Sequence, residues 1–141
     1  MKSLESQQLS EREILAAPES DYMSAEQLAF FKDRLMALHE STCDRIQEAR
    51  DQITGPMDFS DENDRASREE QSAIALRIVD REQKLLPKIQ QSLKRIRLGT
   101  YGYCLESGEP IGIPRLLARP TAEYCAEVKA LKEIKEHHYK S

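Results

Sequence analysis

The chain has no tryptophan, three phenylalanines and five tyrosines in 141 residues. It has five glycines and six prolines, so a turn-rich β architecture is not expected. It lacks any apolar run near the ~18 residues that a membrane span requires. The first residues carry Glu5, Glu11 and Glu13 and no apolar signal core, which argues against secretion. Net positive charge is missing too: the formal charge is −4, which disfavours a general nucleic-acid binder held by phosphate neutralisation. Neither a phosphate-binding glycine loop nor a dinucleotide fingerprint is present. His39, His137 and His138 have no nucleophile partner in sequence, so no enzymatic activity and no catalytic residue are expected. Three cysteines, an odd number, fit a reducing cytoplasm better than a disulfide scaffold.

What is present is charge. Charged residues make up 33% of the chain and hydrophobic ones 39%. That balance describes a helical, surface-rich protein. Residues 1–23 read as an N-terminal arm with one short apolar patch (Ile14, Leu15, Ala16, Ala17) closed by Pro18, either partly ordered or a disordered tail. Ser24-Ala25-Glu26-Gln27 is a capping box that opens a helix. Its apolar stripe is expected at Leu28, Phe31, Leu35, Leu38, Thr42, Arg45 or Ile46, Ala49 and Ile53, a heptad-like seam ended by Gly55-Pro56. A second helix is expected from about residue 62 to 98. Its buried positions are predicted at Ala66, Ala73, Leu76, Leu86, Ile89, Leu93 and Ile96, with a poor stretch at Asp80 and Gln83. Pro87 should kink it or, as the alternative, break it. Two helices of similar length with a short connection should pair as an antiparallel hairpin over 24–98, its tip at 57–66. About 30 helical residues span ~45 Å.

The last third, 99–141, changes character. Four of the five glycines and three of the six prolines fall between Gly99 and Pro120, consistent with short strands or turns around Ser107-Gly108. Thr121 is read as the cap of a final helix whose apolar face holds Leu131 and Ile134. The fold class is therefore mainly α: a long coiled-coil hairpin, a small β/turn module and a C-terminal helix.

Three clusters invite a functional reading. Between residues 58 and 70, six carboxylates face two arginines. This is either a solvated turn with capping aspartates or a surface for a metal or a basic partner. Arg81, Lys84, Lys88, Lys94, Arg95 and Arg97 surround a single Glu82, and Arg115, Arg119 and Lys129 lie in the last third. Here the alternatives are a solvated face and a site for an anionic ligand or acidic partner. Cys104-x-x-Ser107 and Cys125-x-x-Val128 have the spacing of a four-ligand zinc module, but only two of the positions are thiols. Valine cannot bind metal and a neutral serine hydroxyl is a poor zinc ligand, so no structural zinc is expected. The two thiols read as buried and inert, with a redox pair as the alternative. Cys43 reads as a small filler on the first helix.

Several stretches together resemble the DksA/TraR family of bacterial RNA polymerase-binding regulators. They are Tyr22-Met23-Ser24-Ala25-Glu26-Gln27-Leu28, Asp61-Glu62-Asn63-Asp64-Arg65-Ala66, Tyr101-Gly102-Tyr103-Cys104, and the run from Ile111-Gly112-Ile113-Pro114-Arg115 to Thr121-Ala122. The resemblance implies a cytoplasmic, monomeric protein whose hairpin enters the polymerase secondary channel. It would change open-complex stability with the alarmone ppGpp, without reading a DNA sequence. It implies tip contacts at Asp61, Asp64 and Ala66, an arm contact at Arg81, and ppGpp contacts at Leu85, Lys88, Arg119 and Lys129. The positions Cys104, Ser107, Cys125 and Val128 resemble zinc-independent members, with ppGpp an effector and no permanently bound cofactor. A helical-hairpin interaction protein and a transcript-cleavage factor are the competing functions.

Overall fold

The computed structural model describes residues 9–53 and 62–140. Five α-helices occur among them: α1 (Glu11–Ala16), α2 (Ala25–Ile53), α3 (Glu62–Leu98), α4 (Ile113–Ala118) and α5 (Ala126–Lys140). A 3₁₀ turn at Glu19–Asp21 links the first two. The chain divides into two compact units. One holds the residues up to Leu35 and those from Gln91 on; the other is Met36–Gln90.

The Met36–Gln90 unit is built from parts of α2 and α3. On α2, Thr42, Ile46 and Ala49 are buried, on the face the heptad pattern predicts. On α3 the buried positions are Ala75, Glu82 and Ile89, seven residues apart. Ile89 is buried as expected, and Leu86, Leu93 and Ile96 are half-buried, but the first half of the helix differs from the expected phase: Ala66, Ala73 and Leu76 are exposed. The reason lies at Glu82. Its carboxylate accepts from Nε of Arg45 on α2. Arg45 also donates to Thr42 Oγ1 at 3.1 Å, and the Thr42 hydroxyl donates to the Leu38 carbonyl at 2.6 Å. A charged residue thus belongs to the seam because its partner is supplied across it. Pro87 sits inside α3 without breaking it. Pro87 and Gln83, whose carbonyl loses its donor at Pro87, are both on the exposed side of the helix.

Removing one half of the pair leaves the other without its counter-charge. Fully buried pairs lose about 3–5 kcal/mol in that case. Arg45 is 43% exposed and reaches water, so Glu82→Ala should cost about 1–2 kcal/mol in urea denaturation. The double change Arg45→Leu with Glu82→Leu should be neutral or stabilising, because two leucines extend the apolar seam. A double variant weaker than the single one would show that the pair is the main fastening.

The other unit has a small core of Phe31, Leu35, Tyr101, Cys104, Ile111, Leu116 and Ala122. The Phe31 and Tyr101 rings lie 5.6 Å apart, and the Tyr101 hydroxyl donates to the Pro120 carbonyl at 2.7 Å. Helix α1 is a true element, opened by a reciprocal capping box between Ser10 and Glu13. It buries Ile14 and touches α4. On either side of α4, the 99–112 and 119–125 stretches are turns with one antiparallel bridge, Tyr103 to Pro110, and no longer strand among the described residues. Backbone bonds from Cys104 to Glu109, Gly108 to Cys104 and Ile111 to Gly102 hold these turns.

The final helix starts later than its sequence suggests. Thr121 is buried and α5 begins at Ala126. The Ala122 N–H donates to Arg119 and the Glu123 carbonyl accepts from Leu105, so this backbone is committed to the turns. Leu131 and Ile134 are exposed, not a packed face. Lys132 makes the nearer contacts, with Glu106 at 2.9 Å and the Tyr124 ring at 4.7 Å.

Candidate functional site

Where α3 begins, Asp64 and Ala66 are exposed on its first turns. Asp61 lies outside the described residues, as do Met57 and Asp58 of the acidic stretch. Arg77, Arg81, Lys84 and Lys88 follow at spacings of four, three and four, and all are exposed. They form one cationic stripe along α3, and Arg77 extends it beyond the residues read from the sequence. Lys84 pairs with Asp80 at 3.1 Å on the surface. Leu85 is half-buried one turn before Lys88.

In the other unit, Arg119 is exposed. Lys129 is half-buried, with Glu133 at 3.9 Å. Arg95 differs from the other cations. It is 12% exposed and donates to Glu123 Oε2 at 3.1 Å, so its charge is spent inside the fold. Arg115 Nε likewise donates to the Tyr124 carbonyl. Sequence reading missed both, because their acceptors are supplied by distant turns.

It also missed a tyrosine clasp. The Tyr22 hydroxyl donates to the Gly102 carbonyl at 2.5 Å and accepts from the Gly112 N–H at 2.9 Å. One phenol thereby ties the residue before α2 to two turns of the module, and its ring meets Tyr103 edge-on at 5.6 Å. Partial burial pushes its hydroxyl above the usual tyrosine value, with the Gly112 N–H opposing the rise. The positive φ of Gly102 and Gly112, which let these turns close, is the signal a sequence could have offered.

The cysteine module keeps its turns. Cys104 is buried and Cys125 half-buried; Ser107 Oγ lies 3.9 Å from Cys125 Sγ. Burial pushes the Cys104 thiol up. The Ser107 hydroxyl and the backbone N–H groups of Ser107, Cys125 and Glu106 outweigh it and bring it down from 9.0 to about 6. These donors favour the thiolate form of Cys104. As ligands, the four positions offer two thiols, one hydroxyl and one hydrocarbon. No group of three metal-ligating side chains occurs among the described residues. This donor set does not fit a four-thiolate zinc site.

The lowered Cys104 value has a stability consequence. The folded thiol releases its proton before the unfolded one does. Its contribution is therefore complete above pH 9 and lost as pH falls through about 6. Melting temperature should rise between those limits, and Cys104→Ser should flatten the rise. A slope unchanged in that variant would show that the fold does not favour the thiolate.

Two family models match the chain: the DnaK suppressor protein DksA N-terminal domain over residues 27–96, and the prokaryotic dksA/traR C4-type zinc finger over residues 99–133. The RNA polymerase-binding transcription factor DksA of Haemophilus influenzae is 41% identical over 122 residues, covering 84% of this chain and 82% of the relative. Its Escherichia coli K12 counterpart is 41% identical over 123 residues, covering 84% and 80%. The structure of transcription factor DksA2 from Pseudomonas aeruginosa superposes with a TM-score of 0.76 at 46% identity, covering 92% of this chain and all of that one. The chain belongs to the DksA/TraR family of non-enzymatic, RNA polymerase-binding transcription factors.

Proposed function

We propose that this chain binds bacterial RNA polymerase through the secondary channel and modulates initiation by changing open-complex stability, together with ppGpp. The observation that carries the reading is its 41% identity, over most of its length, to proteins named for polymerase binding. The exposed Asp64 and Ala66 at the start of α3 and the cationic stripe that follows are consistent with it. Asp61, Asp64 and Ala66 approach the catalytic region, and Arg81 contributes to binding. Leu85, Lys88, Arg119 and Lys129 meet ppGpp jointly with the polymerase: three cations for phosphates and one apolar side chain. The protein works as a cytoplasmic monomer and reads no DNA sequence. It needs no zinc, because two of the four ligand positions carry no thiol.

In vitro transcription from a stable-RNA promoter tests this, with and without ppGpp and a metal chelator. The protein should inhibit, ppGpp should deepen the inhibition, and the chelator should change nothing. No effect on any promoter, with no saturable binding to core polymerase, would overturn the assignment. One zinc per chain by elemental analysis would overturn the metal-independence.

A further inference from the structure

The third cysteine lies outside the cysteine module, on α2 in the Met36–Gln90 unit. Cys43 is exposed, so it is not the small filler its sequence position suggests. The residues that fill the seam beside it are Thr42, Ile46 and Ala49. One turn earlier on the same helix is His39, and its Nδ1 stands 3.8 Å from Cys43 Sγ. Met36 precedes His39 by three residues and Cys43 by seven, so all three share one face of α2. Met36 is 53% exposed and, like Cys43, plays no part in the core.

A thiol, an imidazole and a thioether are the donors that soft metal ions prefer. The spacing of the first two fits a shared ion. With bonds of about 2.3 Å to sulfur and 2.0 Å to nitrogen, a trigonal centre holds such donors about 3.7 Å apart, a tetrahedral one about 3.5 Å and a linear one about 4.3 Å. The observed 3.8 Å is nearest to the trigonal value, which leaves one position for a third ligand. The Met36 sulfur sits at the end of a flexible, unbranched chain that can swing over the pair. Charge points the same way. Between residues 36 and 44 the helix carries Glu40 and Asp44, both exposed, and no lysine or arginine, a local field that favours a cation. The carboxylates do not complete a harder site, because no group of three His, Cys, Asp or Glu side chains able to hold a metal occurs among the described residues. The thioether is the remaining third donor, and it selects monovalent copper over zinc, calcium or magnesium.

We propose that Met36, His39 and Cys43 form a three-coordinate surface site for copper(I). Cys43 binds as the thiolate: the S–H bond breaks, the S–Cu bond forms, and the proton leaves to solvent with no change in the oxidation state of the ion. His39 binds through Nδ1, which requires its ring proton on Nε2. The site uses none of the residues assigned to the polymerase or to ppGpp, and no position of the cysteine module.

Anaerobic titration of the full chain with copper(I), buffered by a competing chelator, tests the site. Cys104 and Cys125 are thiols too, so the readout has to be local: the NMR signals of the His39 ring and the Met36 methyl. Both should shift as copper(I) is added. Cys43→Ser should abolish both shifts, and Met36→Leu should weaken the binding seen at His39 at least about tenfold. Both positions are exposed, so helix content should be unchanged in either variant. Zinc(II) should need at least about tenfold more free ion than copper(I) to move the same signals. Copper(I) that leaves the His39 and Met36 signals in place, shifts that persist in Cys43→Ser, undiminished affinity in Met36→Leu, or zinc(II) binding as tightly as copper(I) would each overturn the proposal.

Discussion

Gly102→Ala is expected to cost the protein about 3–5 kcal/mol, a large part of the roughly 5–15 kcal/mol that holds a domain together. Two effects act at the same atom. The backbone has φ +92°, which an alanine adopts only under strain. A Cβ there would stand 2.6 Å from Met23 Sδ and 2.9 Å from Met23 Cγ. The Met23 thioether can rotate away, but Cγ sits one bond from a Cβ whose backbone is fixed at φ +57° with its N–H held by Gln27, so part of the clash remains. The remainder would push the Gly102 carbonyl away from Tyr22 and weaken the clasp. Its neighbour Tyr101, packed on Phe31, would follow. Denaturant titration should show the loss. The matching change at Gly108, whose φ is +74° but whose Cβ would meet open space, should cost about 1–2 kcal/mol. Equal costs at the two sites would mean that backbone strain alone matters and the methionine contact does not.

Much of the helical frame was legible because it is written in local signals. The Ser24 box opens α2, and Leu35, Thr42 and Ala49 keep their sevenfold spacing along it. Helix α3 was legible in extent, and in phase at Ile89, but not in its first half. Hydrophobicity pulled the stripe toward Ala73 and Leu76, because Glu82 looks like a surface residue until Arg45 is brought opposite it. The Ser10-Glu13 box could have been read from sequence, since its four residues have the same pattern as the box that was recognised. The start of α5 could not, because the Pro120 and Glu123 carbonyls are taken by Tyr101 and Leu105, from turns elsewhere in the sequence. The site residues divide in the same way. Arg81, Lys88 and Arg119 are solvent-facing, as their charge suggests, whereas Arg95 is taken by Glu123 28 positions away. A charge in sequence names a capacity; its partner in space decides whether that capacity is free for another molecule.

Asp64→Asn should separate the two things the proposed function requires of α3, binding and action. The residue is exposed on the first turn of the helix, where a negative charge is favoured by the helix dipole by only about 0.3–1 kcal/mol. Asparagine keeps the shape and much of that local role, so folding and helix content should hardly change. What disappears is a formal charge at the part of the chain assigned to the catalytic region of the polymerase. Inhibition of a stable-RNA promoter should therefore fall about tenfold or more, equivalent to at least about 1.4 kcal/mol. Competition for core polymerase should change by less than about twofold, because the long α3 surface behind it is untouched. Arg81→Ala is the contrasting case. It removes a cation from the middle of the exposed stripe, so binding and inhibition should weaken together and recover together at higher protein concentration. If Asp64→Asn lost binding and inhibition in equal measure, the carboxylate would be one more anchoring contact, and the action on the open complex would have to come from another part of the chain.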